Sequence, residues 1–228
     1  MVKIIGFVMF IMFLIIPVNA NDIYVTQSGA SLTFDVLQDG QNNTIGNSTT
    51  ASASSGATTS LNIDQVGDSN VIKYQINGAT YTGVINLTGN SNDVDLNCDS
   101  GNNNSSCGNI TANITMTGSS NDIDLDIGET ASAAGSTVNI TGASGSDSNT
   151  IAATVDGVSA ILTITVNGDT NNYLIDIDGD GDSVGHTLIH SHTGSIADVD
   201  ITQSGVYDNM INLTTSGDNA NIDIIQRD

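Results

Sequence analysis

The stretch Gln65-Val-Gly-Asp-Ser-Asn-Val-Ile72 carries the phrase that decides the fold, Gln-x-Gly-x-x-Asn followed by an apolar residue. The same spacing of Gly and Asn recurs along the chain, and strict copies place the pair at Gly40 and Asn43, Gly67 and Asn70, Gly89 and Asn92, Gly118 and Asn121, and Gly168 and Asn171. Looser copies run from Gly145 to Asn149, from Gln203 through Gly205 to Asn209, and from Gly217 to Asn221. A phrase that returns after roughly 22 to 29 residues indicates stacked supersecondary units rather than one globular core.

The residues between these phrases alternate between apolar and polar side chains. In the segment 121–127, Ile123, Leu125 and Ile127 point one way along an extended chain and three aspartates point the other way. This period of two is typical of a half-buried β-strand, and helical spacing is absent after residue 20. Because Gly permits positive φ and Asn can hydrogen-bond neighbouring backbone, each phrase is predicted to form a tight turn between two strands.

One strand-turn-strand unit cannot bury its apolar face alone. Stacking the units about 4.8 Å apart lets the backbone of each rung pair with the next. We therefore predict an all-β fold, a β-solenoid of about seven to eight strand-turn-strand rungs, with amide ladders formed by the repeated Asn and Gln side chains. The alternative is an antiparallel β-sandwich, which also joins many short strands by polar turns.

The first twenty residues have the pattern of a secretory signal peptide. Lys3 gives a basic start, residues 4–16 are apolar, and Ala20 supplies the small residue at the cleavage site. The predicted organisation is a signal peptide over 1–20 and one repeat domain over 21–228. We therefore expect a secreted protein, extracellular or at the cell surface, that is not a membrane protein after removal of the signal.

The composition of the mature chain limits its partners. It keeps only Lys73 and Arg227 against 25 acidic residues, which gives a net charge of −23 with neutral His. Nucleic-acid binding requires Lys and Arg to neutralise phosphates, so the sequence predicts no nucleic-acid partner. Cys98 and Cys107 bracket a polar insertion, and in an oxidising compartment they are predicted to form a disulfide that staples this loop.

The phrase Gln-x-Gly-x-x-Asn with flanking alternation resembles the curlin repeat, the unit of the bacterial curli amyloid subunit. The resemblance is clearest at Gln38-Gly40-Asn43, at Gln65-Gly67-Asn70 and at Gln203-Gly205-Asn209. Where the family has Ala after the Asn, this chain has mostly Ile or Val, and the leading Gln becomes apolar in the middle copies. The interior is therefore expected to be thicker than in curlin, with curlin-like character strongest towards the ends.

The resemblance implies a secreted structural subunit that self-assembles into extracellular amyloid-like fibres for biofilm matrix or surface adhesion. Its main partner would be a second copy of the same chain, with an export chaperone and a nucleator as further partners. The sequence carries no nucleophile elbow, zincin motif or phosphate loop. Its single Glu and few aromatic residues also argue against a sugar-cleaving cleft. We do not expect an enzyme.

Two clusters have the residue types of metal ligands. Asp176, Asp178, Asp180 and Asp182 match the opening of a Ca²⁺ loop, although position twelve is Thr187 instead of Glu. A Ca²⁺ site in a solenoid turn and a solvated acidic turn are the two interpretations. We expect that the protein requires no cofactor, and Ca²⁺ is the only ion that the pattern suggests. The alternative function is therefore a soluble acidic Ca²⁺-binding β-solenoid adhesin or binding module.

The second cluster is His186, His190 and His192, which an extended chain points to one side. A transition-metal site is one interpretation, and a solvent-exposed strand face is the favoured one.

Two further patterns concern surfaces. Asp93 and Asp122, like Asp95 and Asp124, occupy equivalent places in successive phrases, so adjacent rungs would stack their carboxylates about 5 Å apart. Ca²⁺ or acidification to about pH 4 is therefore expected to promote assembly. A few Thr-x-Thr pairs give a third candidate function, an ice- or surface-binding solenoid.

Overall fold

The computed structural model describes residues 22–46, 52–56, 58–67, 69–78, 80–98, 109–128, 133–142, 148–178, 186–205 and 209–227. The predicted signal peptide, Cys107, Asp180 and Asp182 lie outside these residues. The described residues form strands and turns, and they contain no helix long and apolar enough to cross a membrane.

The strands, numbered in chain order, form two sheets that face each other. Sheet A contains β1 (Asp22–Ile23), β2 (Thr26–Ser28), β4 (Asn42–Ile45), β5 (Ser52–Gly56), β7 (Ser69–Gly78), β9 (Ser91–Asn97), β11 (Ser120–Ile127), β12 (Ala133–Ala134), β14 (Ser148–Val158), β16 (Thr170–Asp178), β18 (Ile196–Ser204) and β20 (Ala220–Arg227). Sheet B contains β3 (Ser31–Asp39), β6 (Thr58–Val66), β8 (Thr80–Thr88), β10 (Asn109–Thr117), β13 (Ser136–Gly142), β15 (Ile161–Asn167), β17 (Thr187–Thr193) and β19 (Met210–Ser216).

The chain winds alternately through the two sheets. The path through sheet A is β1-β4-β7-β9-β11-β14-β16-β18-β20, and the path through sheet B is β3-β6-β8-β10-β13-β15-β17-β19. Each strand between the ends of these paths therefore pairs with the strand one full coil earlier and with the strand one full coil later. The predicted all-β solenoid is confirmed. The antiparallel β-sandwich is wrong, because every pairing among the described strands is parallel.

The number of coils is slightly lower than the repeat count predicts. Within the described part of sheet B, the two outermost strands have a neighbour on one side only, and six strands are enclosed on both sides. The structure thus shows about six turns that are enclosed on both sides, against the seven to eight predicted.

The interior consists of columns of apolar side chains, one residue per coil. In sheet A the column that begins at Ile45 continues through Ile72, Val94, Ile123 and Ile151, all of them fully buried. Burial of one such side chain contributes about 1.5–3 kcal/mol, so the repeated columns provide the main stabilisation of the stack. Burial decreases at the last coil, where every residue of β20 is exposed.

Candidate functional site

The Gly-x-x-Asn turns form one corner of the solenoid, where the chain passes from sheet B to sheet A. None of Gly67, Gly89 and Gly118 has a positive φ, so the predicted reason for glycine at these turns is wrong. A Cβ atom on Gly118 would lie 1.6 Å from the carbonyl oxygen of Gly89, and one on Gly67 would lie 1.6 Å from that of Gly40. Glycine is required because successive turns stack in direct backbone contact.

Hydrogen bonds connect the turns along this glycine column. The amide of Gly67 donates to the carbonyl of Thr88 in the next coil at 2.8 Å, and the amide of Gly89 donates to that of Thr117 at 3.0 Å. Gly194 continues the column after Gly168, since its Cβ would also lie 1.6 Å from the glycine carbonyl below. The sequence pattern missed Gly194 because Ala197 stands where the phrase has Asn. The preceding strand and the spacing from Gly168 are the two signals that could have identified Gly194.

The asparagines of the turns form a buried amide ladder, as predicted. Asn70 donates to the Oδ1 atom of Asn92 at 2.7 Å, Asn92 donates to Asn121 at 2.5 Å, and Asn121 donates to Asn149 at 2.5 Å. Asn149 donates to Asn171 in the same way. All these bonds run in one direction, so the amides polarise one another and strengthen the column.

The first coil begins differently. Asn43 donates its Nδ2 to the backbone carbonyls of Val66 and Gln38, at 2.9 and 3.3 Å. Gln65 donates to the side-chain oxygen of Gln38 at 2.5 Å inside sheet B. The next members of that glutamine column are Leu87 and Met116, so the interior changes from amide to apolar after two coils.

The copy Gln203-Gly205-Asn209 does not form the same turn. Gln203 lies in β18 of sheet A and Asn209 lies just before β19 of sheet B, so this copy occupies the opposite corner of the solenoid. Asn209 accepts a hydrogen bond from the backbone amide of His186 at 3.0 Å instead of joining the ladder. Gln203 is buried and accepts a hydrogen bond from Gln226 at 3.2 Å, a second glutamine pair at the last coil.

The outer face of sheet A carries the predicted stack of carboxylates. Asp122 pairs with Asp93 and Asp124 pairs with Asp95 in adjacent strands, and Lys73 forms an ion pair with Asp95 at 3.5 Å. Partial burial is the main cause that raises the pKa of Asp93 above its ordinary value; Lys73 opposes this shift and Asp122 adds to it. Because a raised pKa favours the protonated form in the folded state, acidification through this pKa stabilises these coils.

A groove of about 410 Å³ runs beside this stack, along the turn corner of sheet A. Its lining includes one serine from each of four successive coils, which are Ser69, Ser91, Ser120 and Ser148. Hydroxyl and carboxylate oxygens are the ligand types of hard cations. The described residues nevertheless hold no group of three or more His, Cys, Asp or Glu side chains placed to bind a metal ion.

The predicted Ca²⁺ loop and disulfide are described only in part. Asp176 and Asp178 lie on the outer face at the end of β16 and are exposed, whereas the other two aspartates lie outside the described residues. Burial is the main cause that raises the pKa of Asp176, with a contribution from Asp178. Cys98 is disulfide-bonded, and its predicted partner Cys107 lies beyond the described residues. The Ca²⁺ site and the pairing remain predictions.

The three histidines share one side of the chain, as predicted, but that side is the interior. His186, His190 and His192 are each 1% exposed, so the solvent-exposed strand face is wrong. His190 takes the column position of Ile164 in β15 and Leu213 in β19. Register places these residues inside, because Leu188 between them must stack on Leu162 in the core.

A tyrosine and an asparagine bind His192. Its Nδ1 atom lies 3.1 Å from Nδ2 of Asn171, at the end of the amide ladder, and 3.2 Å from the hydroxyl of Tyr173. The ring of Tyr173 also packs edge-on against His190, with 4.2 Å between the ring centroids. Neither ring nitrogen of His190 has a hydrogen-bond partner among the described residues.

Replacing His190 by leucine is expected to stabilise the last coils and to flatten the pH dependence of their stability. Burial, with His192 adding repulsion, lowers the pKa of His190 from 6.5 to about 4. The unfolded chain therefore binds more protons than the folded chain between these values. By itself, His190 therefore lowers the stability by about 3 kcal/mol as the pH decreases through this window, opposite in sign to the effect of the aspartates.

The measurement is the free energy of unfolding by urea at pH about 7, about 5.5 and about 4.5, for the wild type and His190→Leu. The control is Ile164→Leu in the same column, which should keep the wild-type slope because it removes no ionisable group. Equal slopes for His190→Leu and the wild type would contradict the assignment.

The two ends of the solenoid are the remaining surfaces. Four apolar residues pack against the core but stay partly exposed: Ile23 and Phe34 at the first coil, and Ile211 and Leu213 at the last. At the last coil, Ile222 and Ile224 of β20 are 42% and 43% exposed. Among the residues that the structure describes, both ends therefore present unpaired strand edges beside apolar side chains.

Comparison with known proteins found no matching family model, no matching curated protein and no matching solved structure. The geometry of the ends, the ladder and the outer faces is therefore the basis for a function.

Proposed function

We propose that this chain is a secreted structural subunit, similar to curlin, that joins end to end into extracellular amyloid-like fibres of a biofilm matrix or adhesive surface. The partner is a second copy of the chain, with an export chaperone and a nucleator as accessory proteins. Completion of the two outermost coils by neighbouring subunits would give each subunit the predicted seven to eight rungs.

The observation that carries this proposal is the open last coil. A soluble solenoid needs terminal coils with a polar, blocked outer face, because an exposed strand edge templates the addition of another chain. Here β20 exposes its whole length, including Ile222, Ile224 and Ile225. Within the described part of the chain the first coil is open as well, with Ile23 and Phe34 only partly buried.

The negative charge of the subunit suggests how assembly is controlled. In register, the Asp93–Asp122 column ends at Asn221 in the last strand, so a junction adds no new carboxylate pair to this column. Joining is instead opposed by the net charge of −23 that each mature subunit carries. Among the described residues, Lys73 makes the one ion pair with the outer face of sheet A, to Asp95. Ca²⁺ or acidification should therefore speed assembly, as the sequence predicts.

The test compares two lysine substitutions on sheet A. Ile224→Lys places a charge in the open end and is expected to lengthen the lag of fibre formation at least about tenfold, the factor given by about 1.4 kcal/mol. Leu174→Lys is the matched control, because Leu174 is 60% exposed on the outer face of β16, away from both ends. Assembly is followed by light scattering and electron microscopy, and the fibres by diffraction at about 4.8 and about 10 Å.

Wild-type protein that stays monomeric for days, with Ca²⁺ and at low pH, would overturn the fibre function. Calcium binding by such a persistent monomer would favour the soluble binding module instead. Equal inhibition by both lysine variants would show that association occurs through the faces and not the ends.

Binding to ice or another ordered surface is the second candidate, and one observation favours it. The outer face of sheet B aligns hydroxyl side chains of successive coils into two columns, which are Thr82, Thr111 and Thr137, and Thr115, Thr141 and Thr165. Each of these columns spans three successive strands of sheet B, whereas a Thr-x-Thr pair in the sequence lies within one strand. Thermal hysteresis in solutions of the monomer would support this function.

A further inference from the structure

The described chain begins and ends on the same sheet. Sheet A has nine successive strand positions, from β1 to β20, whereas sheet B has eight, from β3 to β19. The solenoid therefore carries half a coil more than a whole number of coils. This extra half-coil matters when two copies meet end to end, as the proposed function requires.

Two copies with all strands in place cannot form a continuous stack. If β20 of one copy paired with β1 of the next, β19 and the next β3 would lie two strand spacings apart, about 9.6 Å, instead of about 4.8 Å. Sheet B would then lack one strand at every junction. If one terminal strand leaves sheet A, both sheets continue without a gap.

The residues of β20 match the first strands position by position. Successive pairings place Ile222 in the column that runs back through Val199, Tyr173 and the preceding coils to Ile45 and Ile23. Two residues further, Ile224 corresponds to Val25. Four residues further, Gln226 corresponds to Gln27. Thus β20 could pair with β4 and β5 in the place of β1 and β2, with Ile222 and Ile224 at the positions of Ile23 and Val25.

The first strands are the weaker of the two competitors. β1 pairs with β4 through two residue pairs and β2 pairs with β5 through three. In contrast, β20 pairs with β18 through eight consecutive residue pairs. Each lost ladder bond costs on the order of 1 kcal/mol, so displacement of β1 and β2 is much the cheaper change.

We propose that β1 and β2 temporarily occupy the position of a neighbour's last strand, and that β20 of a second copy displaces them when subunits join. This proposal rests on the fibre function and adds its molecular step. The N-terminal strands cover the first coil of the free subunit, and the incoming β20 pairs with β4 and β5 after they leave.

The other side of the junction fits the same alignment. When β20 takes the place of β1 and β2, β19 lies beside the neighbour's β3, with Ile211 on Phe34 and Leu213 on Val36. At the turn corner, Gly217 would lie over Gly40 of the neighbour. Five described turn glycines donate to the residue before the next glycine, as Gly194 does to Ser216 at 2.9 Å, so Gly217 would donate to the neighbour's Asp39.

The first test locks the N-terminal strands in place. Asp22 and Thr44 are direct partners in β1 and β4, so Asp22→Cys with Thr44→Cys should form a disulfide across parallel neighbours. The oxidised variant is expected to assemble at least about tenfold more slowly than the wild type, and reductant should restore its rate. Wild-type protein under the same oxidant and reductant is the control, and circular dichroism checks that the variant is folded.

The second test captures the exchanged strand. Asn221 takes the position of Asp22 after exchange, so Asn221→Cys with Thr44→Cys should give covalent multimers when fibres are oxidised and denatured. Asn221→Cys alone and Thr44→Cys alone should give none. Deletion of residues 21–29 removes the displaced strands and is expected to shorten the lag of assembly by about tenfold or more.

These outcomes separate the two proposals. Fibres formed by the oxidised Asp22→Cys/Thr44→Cys variant at the wild-type rate, or fibres of Asn221→Cys/Thr44→Cys without covalent multimers, would overturn strand displacement and leave the fibre function intact. Absence of fibres from the wild type and from the deletion variant would overturn both.

Discussion

Replacing Gly118 by alanine is expected to lower the free energy of unfolding by at least about 4 kcal/mol, the range reserved for severe steric changes. The added methyl group would lie 1.6 Å from the carbonyl oxygen of Gly89, which is backbone and cannot rotate away. The two coils must separate locally, and this breaks the hydrogen bond from Gly89 to Thr117 and strains the adjacent amide ladder.

Gly142→Ala is the matched control for this prediction. The three atoms nearest to its added methyl group all belong to the side chain of Val166, at 3.2 Å or more, and this side chain can adjust. The expected loss is about 1–3 kcal/mol. Urea unfolding followed by far-ultraviolet circular dichroism measures both variants. If the two lose the same stability, direct stacking of the turn backbones is not what selects glycine at Gly118.

Replacing Asn121 by leucine is expected to cost about 3–5 kcal/mol of unfolding free energy. Asn121 accepts a hydrogen bond from Asn92 and donates one to Asn149, and all three side chains are buried. Leucine branches at the same atom but makes neither bond, so both neighbours lose a partner away from water. Removing a buried hydrogen-bond partner costs about 1–3 kcal/mol for each group left without it.

The control for the ladder is Asn139→Leu. Asn139 also donates to an asparagine one coil away, Asn113 at 2.9 Å, but on the half-exposed outer face of sheet B. Water can replace that bond, and the expected loss is within about 1 kcal/mol. Similar losses for the two leucine variants, measured by urea unfolding, would mean that the interior ladder has no special role.

The correct sequence predictions depended on local periodicity. The alternation in residues 121–127 identified a strand and its inward side correctly, because a half-buried strand repeats every two residues. The Gly-x-x-Asn spacing likewise located the turns between sheet B and sheet A in five coils. It also implied the alignment of Asp93 with Asp122, since residues at the same distance from equivalent turns fall into register.

The errors came from questions that local pattern cannot answer. The spacing showed that His186, His190 and His192 lie on one side of the chain. Whether that side faces water or the interior depends on the strands that pair with β17. The copy Gln203-Gly205-Asn209 matches the repeat in sequence but lies at the opposite corner of the solenoid. Its position follows from the path of the chain and not from its own residues. Gly194 was missed because the pattern required an Asn three residues later. The structure instead requires glycine there because the turn contacts the backbone of Gly168 in the adjacent coil.

The sequence by itself determined that this protein is a stack of β-coils, with polar turns, an acidic outer face and aliphatic columns. Strand period and repeat spacing are enough for that, because both are set by residues close together in the chain. The tertiary structure decided which side of β17 is buried, why the turns need glycine, and that the described residues begin and end on the same sheet. These properties depend on contacts between residues one or more coils apart, and a shift of one residue in register would reverse them.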